Sequence, residues 1–159
     1  MEPEEKARVI IDRIFEEAGW KVVDRDKYAP SMTAVAIREG LMVGNREADY
    51  LLFLNGKAVG VLEAKRTEID INSDIVQEQA RLYTRSCPKW CQAWFPNLPL
   101  PLAYVANSRD LMFYDTRKSN SEFEYCKKIH TPKEVKKLLG LEDDYVGLPM
   151  LNPKGLRAC

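Results

Sequence analysis

Apolar residues recur along residues 3–18 at helical spacing. Ala7, Ile10, Ile11, Ile14, Phe15 and Ala18 stand at i, i+3, i+4, i+7, i+8 and i+11, a stripe that predicts an amphipathic helix with one buried face. Gly19 supplies its stop. Trp20 to Val23 can open a first strand, and residues 31–39 are ambiguous, with a short helix as one reading. The stretch ADYLLFLNGKAVGVLEAKRT, residues 48–67, then places two strand-like runs on either side of Asn55-Gly56, the signature of a hairpin.

Beyond the hairpin, Asn72 or Ser73 can cap a helix through about Arg85, with Asp74 placed against its positive end and Pro88 barring continuation. KWCQAWFPNLPLP reads as an ordered loop. LAYVAN and LMFYDTR read as two further strands joined by a turn at Ser108-Arg109-Asp110, and EFEYCKKI as a short strand candidate. Thr131-Pro-Lys-Glu134 is a capping box that starts a helix running to about Leu139. The order predicts an α/β fold, a mixed central β-sheet flanked by helices. VGVLEA, apolar at both alternating positions, belongs near the sheet centre. Residues 1–140 are expected to form the domain and residues 141–159 a linker.

Composition narrows the function classes. The chain has 159 residues with 24 basic and 24 acidic side chains. Zero formal charge gives no global pull toward nucleic acid, so such binding needs a local patch. No apolar run approaches a membrane span and the acidic start MEPEEKARV does not resemble a secretion signal, so a cytoplasmic setting without a membrane partner is expected. Cys87-x3-Cys91 and Cys126-x3-His130 offer four soft ligands that can in principle close a zinc site, against the alternative of buried cysteines serving as small apolar residues.

The hairpin carries the chemistry. Asp49, Glu63 and Lys65 sit among Leu51, Leu52, Phe53, Val59, Val61 and Leu62. A two-residue turn pairs Leu54 with Lys57, which sets Asp49 opposite Leu62 and turns Glu63 to the other face. A longer, odd-numbered loop or one bulge reverses this and brings Asp49 onto the face of Glu63 and Lys65, with Gly56 able to serve as the left-handed residue of a type I turn with a G1 bulge. The hairpin is therefore expected to depart from an ideal two-residue register. Grouped carboxylates repel unless a cation lies between them. Their oxygens suit Mg2+, with the Ala64 carbonyl as a further donor. Lys65 can position a water and stabilise charge on a phosphate oxygen. The competing reading is a structural Glu63–Lys65 ion pair with Asp49 capping a turn.

Asp49, thirteen residues, then Glu63-Ala64-Lys65 resembles the D-x(n)-E-x-K signature of the PD-(D/E)XK, restriction-endonuclease-like nucleases. Gln79-Ala-Arg-Leu-Tyr83 is similar to the Q-x-x-x-Y motif of a subset that includes the nuclease domain of type I restriction enzyme motor (R) subunits. Ala18-Gly19-Trp20, Ala48-Asp49-Tyr50-Leu51-Leu52 and PLAYVANSRDLMFYDT agree with that pattern. NPKGLRAC resembles the start of the segment opening the helicase motor, which suggests a longer polypeptide. The resemblance implies that Asp49 and Glu63 bind Mg2+ (with Mn2+ as substitute) and that Lys65 assists the attacking water. It also implies that Gln79 and Tyr83 point toward the site. A first-helix glutamate belongs to the pattern, for which Glu5 is the best match, and Gln77 duplicates the glutamine choice. Implied partners are double-stranded DNA and the methylation and specificity subunits, with ATP used only by a motor domain, since no phosphate-binding G-x-x-x-x-G-K-[ST] occurs here. Lys65, Arg66, Arg81, Arg85 and Lys89 could line one side of the cleft. The alternatives are a catalytically silent module of the same fold that docks DNA or a subunit, and a zinc-stabilised interaction domain.

Overall fold

Helix α1 spans Pro3–Ala18 and ends in a Schellman turn. Gly19 takes a φ of 103°, its N–H reaches the Glu16 carbonyl, and the Trp20 N–H reaches the Phe15 carbonyl. Phe15 and Trp20 meet edge to face across that turn. The structure, a computed structural model, describes residues 3–42, 46–86, 90–118 and 122–140. The buried stripe of α1 is Ala7, Ile11 and Phe15, narrower than the apolar pattern, because Ile10 is 37% exposed.

Among the described residues eight strands form one mixed sheet: β1 (Lys21–Asp24), β2 (Ala34–Met42), β3 (Arg46–Leu54), β4 (Lys57–Ala64), β5 (Gln92–Ala93), β6 (Leu102–Ala106), β7 (Leu111–Asp115) and β8 (Glu124–Tyr125). Their order is β1-β2-β3-β4-β6-β7-β8, with β5 also paired to β4. Strands β4 and β6 run parallel, so the chain must cross over between them, and helix α2 (Asp74–Thr84) makes that crossover. Ser73 caps α2 by accepting the Val76 N–H.

Residues 31–39 do not form a helix. Ala34–Met42 is strand β2, parallel to β1 and antiparallel to β3. Val35, Ala36 and Ile37 are all fully buried, so both faces of this strand are covered and its side chains show no alternation. EFEYCKKI contributes only the two residues of β8.

Side chains of α2 pack on one face of the sheet. Tyr83 joins Leu51, Phe53, Val61 and Leu100, while Val76 and Ala80 join Ala103, Val105 and Met112. The alternate residue Tyr50 faces α1, its ring 5.0 Å from that of Phe15. Two polar pins fix α1 there. Asp12 accepts the Tyr50 hydroxyl at 2.6 Å and the Arg38 guanidinium at 2.8 Å. The described residues divide into two units between Ile129 and His130. The second holds α3 (Pro132–Leu138), opened by the capping box of Thr131 and Glu134. The expected linker, 141–159, lies outside the described residues. Among those residues no helix is long and apolar enough to cross a membrane.

Candidate active site

The hairpin register changes partway along its length. Phe53 pairs with Ala58 and Leu54 with Lys57, as a two-residue turn dictates, but Leu52 pairs with Gly60 and Tyr50 with Leu62. Val59 is the extra residue, a bulge in β4. The turn itself is regular: Asn55 and Gly56 take φ values of 51° and 80°, as the mirror-image type I turn requires. The expected slip is present, but it lies in the strand rather than at Gly56. Gly60 follows the bulge because a Cβ there would stand 2.7 Å from both Leu102 Cβ and the Leu102 carbonyl oxygen on β6.

Continued by one pair, the shifted register sets Asp49 opposite Glu63 on the α2 face. The Asp49 N–H donates to Glu63 Oε2 at 3.2 Å, and the Ala64 N–H donates to Asp49 Oδ2 at 2.7 Å. Glu63 is 2% exposed. Its carboxyl is pushed up to about 8, first by burial and then by the charge of Asp49. Asp49 is also raised by burial, in part offset by the Ala64 N–H, by Arg8 and by Lys65. Each carboxyl is therefore harder to ionise here than in water.

Lys65 leaves β4 just beyond Glu63, where its own N–H is held by the Ala106 carbonyl of β6. Its Nζ donates to Gln79 Oε1 at 3.0 Å, joining strand to α2. These groups stand at the carboxyl ends of the parallel strands β4 and β6, where ligands commonly bind in α/β sheets. Gln79, and not Gln77, is the glutamine at the site. Gln77 is buried and ties the Ile71 carbonyl and Asn72 to α2. Tyr83 lies one turn beyond Gln79 and is 8% exposed, packed among Leu51, Phe53 and Val61.

Glu5 is exposed on α1 and makes no ion pair among the described residues. The first-helix side chain that touches the site is Arg8, whose Nη2 lies 2.6 Å from Asp49 Oδ1 and whose Nη1 lies 3.4 Å from Glu39 Oε2. Arg8 was not among the residues singled out by the sequence motifs. It sits on the polar face of an amphipathic helix, and no local pattern separates it from a solvated arginine.

The basic side chains are largely engaged. Arg81 stacks over Tyr114 and Phe123 and pairs with Glu78, which Arg85 also meets, while Arg66 faces Glu68. Lys89 lies outside the described residues, as does Cys87 of the zinc expectation. Burial raises the Cys126 thiol to about 11. Among the described residues no three His, Cys, Asp or Glu side chains gather as a metal site. Two opposed carboxylates remain, a donor set that suits Mg2+, which takes one or two protein carboxylates and fills its shell with water and phosphate.

Residues 29–139, more than half of the chain, match the family described as the second domain of the type I restriction enzyme EcoKI endonuclease subunit. The chain belongs to that family and is a domain of a type I restriction enzyme R subunit. Its fold is also similar to a solved fragment of a protein assigned as the HsdR subunit of a type I restriction enzyme from Vibrio vulnificus YJ016. That match has a TM-score of 0.57 at 21% identity and covers 90% of this chain and 27% of the other. The chain therefore spans about a quarter of that structure. A search of curated protein sequences returned no match.

Proposed function

We propose that this domain is the nuclease module of its R subunit, a Mg2+-dependent PD-(D/E)XK endonuclease that hydrolyses phosphodiester bonds in double-stranded DNA. The observation that carries the reading is the opposition of Asp49 and Glu63 across β3 and β4, which sets two carboxylates side by side, that of Glu63 buried. Asp49 and Glu63, with the Ala64 carbonyl, would hold Mg2+ or, in its place, Mn2+. Bound there, the ion supplies charge stabilisation at a phosphoryl oxygen and a more acidic water. Lys65, aimed by Gln79, orients the attacking water and donates to the phosphate oxygen on which charge builds. Burial of Glu63 keeps bulk water from its own carboxylate and so strengthens the interactions that it makes. DNA targeting, ATP-driven translocation and contact with methylation and specificity subunits would belong to other parts of the enzyme.

The direct test is nicking of supercoiled plasmid with Mn2+, wild type beside Asp49→Ala. The variant is expected to lose nicking, and nicking at the wild-type rate would overturn the assignment. A second reading, a silent docking module of the same fold, draws on the Arg8–Asp49 ion pair, which neutralises one carboxylate without any metal. It predicts no cation binding at all.

A further inference from the structure

We propose that Arg8 is a resident counter-cation that competes with the divalent ion for Asp49, so that loading the site requires the guanidinium to leave Oδ1. The inference rests on the metal-dependent reading above and concerns how that site is filled.

Both oxygens of Asp49 already have donors: Ala64 N–H on Oδ2 and Arg8 on Oδ1. The amide belongs to the sheet and cannot move. Arg8 can, because its side chain is 34% exposed while Asp49 is 17% exposed. A guanidinium at 2.6 Å also sets a full positive charge beside any cation held by the same carboxylate, and the two repel. The helix that carries Arg8 is fixed by Asp12 to Tyr50 and Arg38, so the exchange is a side-chain movement rather than a helix shift.

Glu39 provides the second anchor. It falls between the pairs Arg38–Tyr50 and Gly40–Ala48, level with Asp49 on the neighbouring strand. Its φ of 54° is left-handed, a strained conformation for a glutamate inside a strand, and its carbonyl is held by Arg25. The Glu39 carboxylate meets Arg8 at 3.4 Å, longer than the Asp49 contact, and can retain the guanidinium once Asp49 lets go.

Calorimetric titration of the chain with Mn2+ tests this, using wild type, Arg8→Met and Arg8→Lys. Methionine keeps the length of the apolar stem and removes the charge. Lysine keeps the charge but loses the planar fork, so its grip on Asp49 is weaker. Arg8→Met should bind Mn2+ roughly tenfold more tightly, the scale of one charge-assisted hydrogen bond, with Arg8→Lys in between. Mn2+ should also raise the melting temperature of Arg8→Met more than that of wild type. Equal or weaker Mn2+ binding by Arg8→Met, where the wild type binds, overturns the role of Arg8 and leaves the metal site standing. If none of the three proteins binds Mn2+, the metal site and the Arg8 role fall together.

Discussion

Lys65 Nζ and Gln79 Oε1 lie 3.0 Å apart, one at the end of a central strand and the other on the crossover helix that follows it. The contact fixes a flexible four-carbon side chain in one direction beside the carboxylate pair. Under the role proposed for Lys65, Gln79→Ala should slow plasmid nicking by roughly tenfold to a hundredfold, the scale of a misplaced reacting group. The circular dichroism spectrum should not change, since Gln79 is only half-buried. Nicking at the wild-type rate would remove Gln79 from the site.

Stability should fall with rising pH in the absence of divalent ions. Glu63 and Asp49 are both raised in the folded chain, by burial first. The folded protein then holds more protons than the unfolded one, and their stabilising effect is full below the ordinary carboxylate range. It is lost as pH rises through the folded values. Melting temperature without metal should drop between about pH 5 and about pH 8. Glu63→Gln, which cannot ionise, should flatten that slope and melt higher than wild type at the alkaline end. A wild-type curve that rises over this interval would contradict the raised carboxyls of the pair.

Gly60→Ala tests the backbone geometry that follows the bulge. The new Cβ would meet Leu102 Cβ and the Leu102 carbonyl, and a carbonyl in a sheet cannot turn aside. Strand β4 must then move from β6, at a cost of roughly 1–3 kcal/mol. Chemical denaturation should show a lower midpoint. Mn2+ binding should weaken with it, because Glu63 and Lys65 ride on the same strand.

Much of this fold was legible in the pattern of the chain. The limits of α1, the Ser73 cap of α2 and the Thr131–Glu134 box follow from short-range rules that tertiary contacts do not override. Strand β2 escaped because Val35, Ala36 and Ile37 are covered on both faces, and a short apolar run without alternation reads equally as helix. The need for a register slip was readable from the charges, since a regular hairpin would strand Glu63 on the wrong face. Its place was not. A G1 bulge at Gly56 satisfies the same parity as the bulge at Val59 that the register shows. Arg8, the partner of Asp49 on α1, and Glu39, level with Asp49 on β2, are 41 and 10 residues distant from it in sequence. Only the folded sheet brings them level.

The measurement that bears most directly on the carboxylate pair is calorimetric titration of Mn2+ into wild type and Asp49→Ala under identical conditions. One site per chain in the wild type, absent from the variant, is the predicted result. Superimposable isotherms from the two proteins, whether they show binding or none, would mean that Asp49 and Glu63 do not share a divalent ion.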